Sequence, residues 1–503
     1  MDRRHFLAAA GSAGLLGLNA CGGGGGGSPA PAPPPATGPD WTALQGSIQG
    51  TVLLPASASF IPAAQVFNAA YGTVPQAVVR CASASDVAQA LSFARANQLA
   101  FTPRSGGHGY TGNSATAGMV IDVGNMNAIA VGSGTATIGA GAKLVDIYDQ
   151  LSTQGVCIPS GSCPTIGIAG ITQGGGIGVV DRAYGLTCDS LVSAQVVLAD
   201  GSIVTCDANT HSDLFWALRG GGGGNFGIVT SLTFNTFATS DVTSFSAAFA
   251  WADAASVIAA WQAWPRTLPD TVWSGLVLAV TQATSPTIEV SGTFIGSAAD
   301  FAPIWTQFLA ATGATPTAQN VQTQSFHDTM LSSCGSLTVS ECHLPSETSD
   351  GQVTRAAFVA ASDFFNAELP SAGIQALIAA VDAQQGLWPL VVIMDLMGGA
   401  INRVAPDATA FVHRNAVFSA QYYLEGAVGT DPSLIIGARN IATGMRTAMS
   451  TWSSGECYQN YLDPQLADWQ TAYYGANFAR LVQVKAAYDP TGVFTQAQGI
   501  PAH

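Results

Sequence analysis

The sequence predicts an α+β protein with more than one lobe, on three observations. The chain has 503 residues, more than one ordinary core holds. From about Pro75 to Thr236, short β-branched runs alternate with runs of helical spacing. Residues 237–450 mix alternating strand patterns, rich in Thr, Ser and Trp, with Ala-rich helical ones, which reads as a second α+β lobe.

Taken in order, QAVVRCAS reads as a strand and SDVAQALSFARANQL as a helix starting at Ser85, with Ser and Asp at its N-terminus as caps. AFTPRSG runs from a strand into a glycine loop, and MVIDVGNM and ATIGAGAKL are further strands. KLVDIYDQLSTQG reads as a helix ending at Gly155. LVSAQVVLADGSIVTC reads as a hairpin turning at Asp200-Gly201. SAGIQALIAAVDAQQG is the clearest helix of the second lobe, and the last 50 residues return to dense aromatic and Asn/Asp content.

Hydrophobic residues make up 48% of the chain and charged residues 9%, where about a quarter charged is usual. Past residue 30 no apolar run reaches the ~18–20 residues that span a bilayer, so the excess points to a large, well-buried globular protein. The net charge of -15 repels phosphate backbones, so nucleic acid is not an expected partner.

The N-terminus reads as an address (residues 1–21) followed by a Gly/Pro tether (residues 22–40). Arg3-Arg4 before Phe6-Leu7 resembles a twin-arginine export signal, and Leu18-Asn19-Ala20-Cys21 resembles a lipoprotein cleavage box that would leave Cys21 bearing lipid. The competing reading is an ordinary cleaved secretory peptide. Both readings export the protein from a bacterial cytoplasm, to the periplasm or outer surface, and the first adds a membrane tether. Twin-arginine export carries folded proteins, commonly ones loaded with a cofactor.

Besides Cys21 there are Cys81, Cys157, Cys163, Cys188, Cys206, Cys334, Cys342 and Cys457. In an oxidising compartment disulfides are the default. Cys334 and Cys342 are close enough in sequence to bridge, although sequence alone does not fix partners. No pair has zinc spacing, so no metal is expected.

Three glycine clusters stand out, at 104–112, 161–178 and 220–227. Bare backbone can approach a ligand closely, and successive amides form anion-binding concavities. One cluster alone is most simply a turn. Three clusters that each end a strand or open a helix point to a long ligand with a diphosphate and flat rings. GAGAKL at 139–144 fails as a Rossmann fingerprint: it lacks the third glycine, and no acidic residue closes a following strand.

RSGGHGY, then SGSCPTIGIAGITQGGGIG some fifty residues on, then DLFWALRGGGGGNFGIVTSLTF, then CYQNYLDP and WQTAYYGANFARLVQVKAAYDPTGVFTQAQGIP, appear in this order. Together they resemble the berberine-bridge-enzyme-like flavin oxidoreductases of the vanillyl-alcohol-oxidase (PCMH-type) superfamily. The resemblance implies a PCMH-type two-subdomain FAD-binding module over 71–239, an α+β substrate domain with an antiparallel sheet over 240–450, and a C-terminal segment over 451–503 that completes the FAD lobe. It implies FAD bound covalently, through His108 to the 8α carbon and through Cys163 to C6 of the flavin. It also assigns cofactor contacts: Arg104, Ser105, Gly106, Gly107, Gly109 and Ser114 in the first loop, and Gly167, Gly170, Gly174, Gly175 and Gly178 in the second. Asn225, Gly227 and Ile228 follow in the third loop, with Asn460 and Asn477 near the C-terminus. Two bonds to an electron-poor ring make it a better hydride acceptor and retain a cofactor that cannot be replaced outside the cell.

Two positions depart from the family's pattern. Ile171 stands where a histidine often meets the ribityl chain, and Ile166 stands where a small valine often leaves room for dioxygen. The acceptor could therefore be O2 or a quinone-like molecule. Oxidising an alcohol or sugar hydroxyl by hydride transfer needs a base for the hydroxyl proton. The resemblance puts Tyr461 in that role, with Tyr458 as the nearest competitor; another tyrosine or a cation must stabilise the phenolate, and Tyr110 is the candidate. A phenol ionises only near pH ~10 unaided. Two attachment points go with an open cleft, so a small-molecule or oligosaccharide-like substrate is expected. A non-catalytic surface lipoprotein keeping the fold is the competing class; the presence of both His108 and Cys163 speaks against it.

Overall fold

The computed structural model describes residues 38–281, 285–386 and 388–503. The export signal with Cys21, and most of the tether, lie outside the described residues. No helix among the described residues is long and apolar enough to cross a membrane.

The N-terminal part holds two sheets. The first runs Thr51–Leu53, Ala77–Arg80, Met119–Asp122, Phe101–Arg104, with the last three strands parallel. Parallel strands need a crossover, and the helix Ala84–Ala96 supplies the one from Ala77–Arg80 to Phe101–Arg104, on the far side of Met119–Asp122. Its N-cap is Ser83 rather than the expected Ser85: the Ser83 hydroxyl accepts from the Asp86 amide at 3.2 Å. The second sheet is antiparallel, in the order Ile129–Val131, Thr135–Gly139, Ile228–Asn235, Leu191–Val197, Ile203–Asp207. Its last two strands are the expected hairpin, closed by Leu198 and Ser202, with Gly201 at φ 87° where a side chain would be strained. One apolar core runs through both sheets and the helix Leu144–Ser152 and takes in Tyr473, Tyr474 and Leu481 from the C-terminal segment.

The second unit is a seven-stranded antiparallel sheet in the order Ala318–Gln324, Val242–Phe249, Thr287–Ile295, Val272–Val280, Leu390–Leu396, Phe418–Gly426, Ala357–Phe365. Alternation along its strands assigns the two faces. Leu276, Leu278, Ile288, Val290, Val392 and Leu424 pack under the helices Ala254–Ala263, Ala298–Thr312, Ser371–Asp382 and Pro432–Met449. Residues of opposite parity, among them Trp273, Val277, Glu289, Ile393, Asp395 and Gln421, face a cavity shared with the first unit.

Cys334 and Cys342 form a disulfide. The default expectation does not extend to Cys81, Cys157, Cys188, Cys206 and Cys457. These thiols are reduced and buried, where they act as small apolar side chains.

Candidate active site

All three glycine clusters, the open face of the seven-stranded sheet and the C-terminal segment meet around one cavity of about 920 Å³, near the top of the usual range of roughly 300–1,000 Å³ for ligand sites. Glycine is required where the clusters touch. A Cβ on Gly106 would overlap the Gly167 amide, so the first and second loops lie backbone against backbone. Gly170 is different. A Cβ there would meet nothing within 4 Å, because the residue opens onto the cavity, with Gly223 of the third loop beside it.

His108 and Cys163 both line this cavity. The His108 ring lies on Phe67 with centroids 4.1 Å apart, and its Nε2 meets the Thr165 hydroxyl at 2.8 Å. Thr165 sits two residues after Cys163, so one short segment presents the thiol and orients the imidazole. The Cys163 thiol is half-buried and reduced. Ser105, Gly107, Gly109, Ser114, Gly167, Gly178, Gly227 and Ile228 line the same cavity. Asn225 does as well, while its amide holds the Gly221 and Gly222 carbonyls at 3.0 and 3.3 Å and its oxygen accepts from Ile500 N at 3.0 Å. Lys485 closes that corner from beneath, donating to the Asn225 carbonyl, the Phe494 carbonyl and Asp489.

Four of the expected cofactor contacts are placed differently. Arg104 borders the cavity, but its guanidinium turns away. It is bound by Asp122 at 2.7 Å and by the carbonyls of Ala63 and Gln65. Burial would raise the Asp122 carboxyl; Arg104 outweighs that and holds it below the usual carboxylate range. Gly174 does not line the cavity, since its missing side chain makes room for Asn460. Gly175, at φ 116°, lies under the Phe411 ring. Asn477 is buried and spends its amide on the carbonyls of Pro406, Thr409 and Ala410.

At the junction with the large sheet, Tyr461 stacks on Tyr110 (centroids 5.1 Å, 26°) and meets Tyr458 edge-on at 4.8 Å. The Tyr110 hydroxyl accepts from Gln421 at 2.8 Å. The Tyr458 hydroxyl oxygen accepts from Gly176 N, Ile177 N and Asn460 Nδ2 at 2.9, 3.2 and 2.9 Å. Even with these donors, burial raises the Tyr458 phenol above its ordinary value, so Tyr458 acts as a neutral rivet between the second glycine loop and Asn460.

Sequence reasoning missed Phe67, Thr165, Gln173, Asp395, Gln421, Gln459 and Glu289. Gln173 and Gln459 have buried side-chain oxygens with no partner among the described residues, and both border the cavity. Two such acceptors, with the bare backbone of Gly170 and Gly223, suit a ligand carrying hydroxyl donors along a chain between two larger ends. The chemistry and shape fit a flavin dinucleotide.

Fold and cavity together define a flavin-dinucleotide-binding oxidoreductase module capped by a seven-stranded sheet. Residues 75–207 match the model of the FAD binding domain family, and residues 457–501 match that of the berberine and berberine-like family. The chain is 34% identical over 438 residues to the uncharacterized FAD-linked oxidoreductase YgaK of Bacillus subtilis (85% of this chain, 91% of that protein). It is 28% identical over 452 residues to a chitooligosaccharide oxidase of Gibberella zeae (85% and 87% of the two chains). Among solved structures, Physcomitrella patens BBE-like 1 superposes with a TM-score of 0.83 at 28% identity, covering 92% of this chain and 99% of that one. The chain belongs to the berberine-bridge-enzyme-like FAD-linked oxidoreductases; it is an enzyme, and its cofactor is FAD.

Proposed function

We propose that this protein oxidises an alcohol or sugar hydroxyl, with FAD joined to His108 and Cys163, after export from a bacterial cytoplasm. The observation that carries the reading is the convergence of His108, Cys163, Tyr110 and Tyr461 on one cavity whose far wall is the open face of the seven-stranded sheet. FAD, when bound, supplies the hydride acceptor. The chain supplies the rest. Thr165 and Phe67 fix the plane of His108. Tyr461 takes the hydroxyl proton, and Tyr110, held by Gln421, supports the charge that develops on it. Tyr458 is unsuited to that task, since its oxygen is already occupied by three N–H donors. The likeness to a chitooligosaccharide oxidase supports an oligosaccharide-like donor. Ile166, bulkier than a valine, lines the cavity, which favours screening quinone-like acceptors beside O2.

The test is acid precipitation of the purified holoenzyme, peptide mapping of the pellet, and turnover of sugars and alcohols with dye acceptors, with and without oxygen. A yellow pellet with flavin on the His108 and Cys163 peptides, and turnover of a hydroxyl donor, is expected. A colourless pellet would overturn the covalent assignment. Absence of flavin reduction by every hydroxyl donor would overturn the substrate assignment.

A further inference from the structure

The cavity face of the seven-stranded sheet has one row that begins at the catalytic tyrosines. Gln421, which donates to Tyr110, lies opposite Ile393; Ile393 lies opposite Val277; Val277 lies opposite Glu289. All four border the cavity. Three strand spacings of ~4.7–4.9 Å put Glu289 about 14–15 Å from Gln421 along this row. The row is polar at both ends and apolar in between.

Glu289 stands apart from the other carboxylates of this face. Glu425 accepts a hydrogen bond from Tyr423 at 2.5 Å. Glu289 has no hydrogen bond or ion pair among the described residues, and its cross-strand neighbours are Val277 and Ala248. It is half-buried, and burial raises its carboxyl above the ordinary value. Its carboxylate therefore faces the open cavity with no protein donor among the described residues. Trp273, on the same face, has a buried indole N–H likewise without an acceptor among the described residues. Its ring stands beside Gly275: a Cβ there would meet Trp273 at 3.3 Å and Asp395 at 3.4 Å. A buried indole with an unpartnered donor, and two rows further along the same face a carboxylate with no protein donor, place polar groups at spaced positions along the cavity wall, as a chain of hydroxyl-bearing units requires.

We infer that this row is a binding track for an oligomer, and that Glu289 is a specificity-determining residue. It accepts a hydrogen bond from a hydroxyl or ammonium group on a distal unit while the reacting unit lies at Tyr461. This deepens the proposed function and rests on it. Monomers would not reach Glu289, and oligomers with an anionic distal unit would be refused.

The experiment compares holoenzyme with E289A and E289Q on glucose, xylose and N-acetylglucosamine series of one to four units, following flavin reduction by stopped flow. A hydrogen bond to a charged group corresponds to at least about tenfold in affinity. The expected result is therefore a roughly tenfold or larger rise in KM for the longer members in E289A and a smaller rise in E289Q. The effect grows with chain length and is smallest on monomers. A chain-length profile identical in wild type and E289A overturns this inference alone. A loss that is equal on monomers and oligomers also overturns it, since that is a general structural effect. If no member of any series reduces the flavin, the sugar-oxidising reading falls and this inference falls with it.

Discussion

The glycine at 106 is where a single methyl should do the most damage. A Cβ there would overlap the Gly167 nitrogen and stand 3.0 Å from both the Gly167 Cα and the Thr165 oxygen, where ordinary contact begins at 3.4 Å. All these neighbours are backbone, so no flexible side chain can swing aside. The loops carrying His108 and Cys163 must then part by about 1 Å, a displacement that can cost a positioned reaction on the order of 10²-fold. Overpacking of this kind destabilises by about 1–3 kcal/mol. For G106A we expect flavin bonded at one residue or neither, read by peptide mass and by flavin fluorescence in denaturing gels, with kcat/KM down about 10²-fold. G444A is the control: it lies in the helix Pro432–Met449 with nothing within 4 Å of the added carbon, and should be neutral or stabilising by up to ~1 kcal/mol. If G106A carries both bonds at wild-type occupancy, the argument that backbone contact sets the spacing of the attachment residues is wrong.

Y461F should slow flavin reduction by ~10²–10⁴-fold while leaving bound flavin unchanged; unaltered reduction would remove Tyr461 from the mechanism. K485M leaves Asp489 buried without its cation, and the Asn225 carbonyl loses a donor. Unfolding by denaturant should show a loss of about 3–5 kcal/mol. The disulfide-bearing segment is tied to the helix Leu144–Ser152 by His327 on Asp149 at 2.9 Å and His343 on Asp146 at 3.1 Å. The Asp149 bond raises the His327 value; at His343 burial opposes the charge and Asp146 outweighs it. Folded-state values above the ordinary ~6.5 give stabilisation that is complete below that pH and lost as pH rises through the folded value. The melting temperature should therefore fall from about pH 6.5 upward, and the double variant H327N/H343N should flatten the curve over that window; equal slopes would refute the ties.

The placement of His108 and Cys163 on one cavity, where attachment is proposed, was legible in the sequence because both belong to local backbone patterns. Gly106, Gly167 and Gly170 are glycine for reasons a motif preserves: two close approaches and one open face. Arg104 and Asn477 share those motifs yet turn away, into Asp122 and into the 406–410 carbonyls. A long or amide-bearing side chain can rotate out of the site its backbone helps to build, and nothing local records which way it turns. Thr165 and Phe67 were overlooked because their role is to hold His108, which requires knowing that segments 41 residues apart (Phe67 and His108) stack.

The sheet wall of the cavity was illegible for a different physical reason. On a strand, each residue's face is set by parity, and parity has meaning only once the cross-strand register is known. Glu289, Asp395 and Gln421 come from three separate strands, and only the pairing of those strands through Val277 and Gly275 puts them on one surface. The cofactor half of the cavity is thus written in backbone and the substrate half in alternate side chains. It follows that substitutions on the cavity side of the sheet should redirect which donor is oxidised while leaving FAD retention intact. Substitutions in the glycine loops should do the reverse. The two halves meet at Tyr110, Tyr461 and Gln421, where the first glycine loop, the C-terminal segment and the sheet all contribute to one contact.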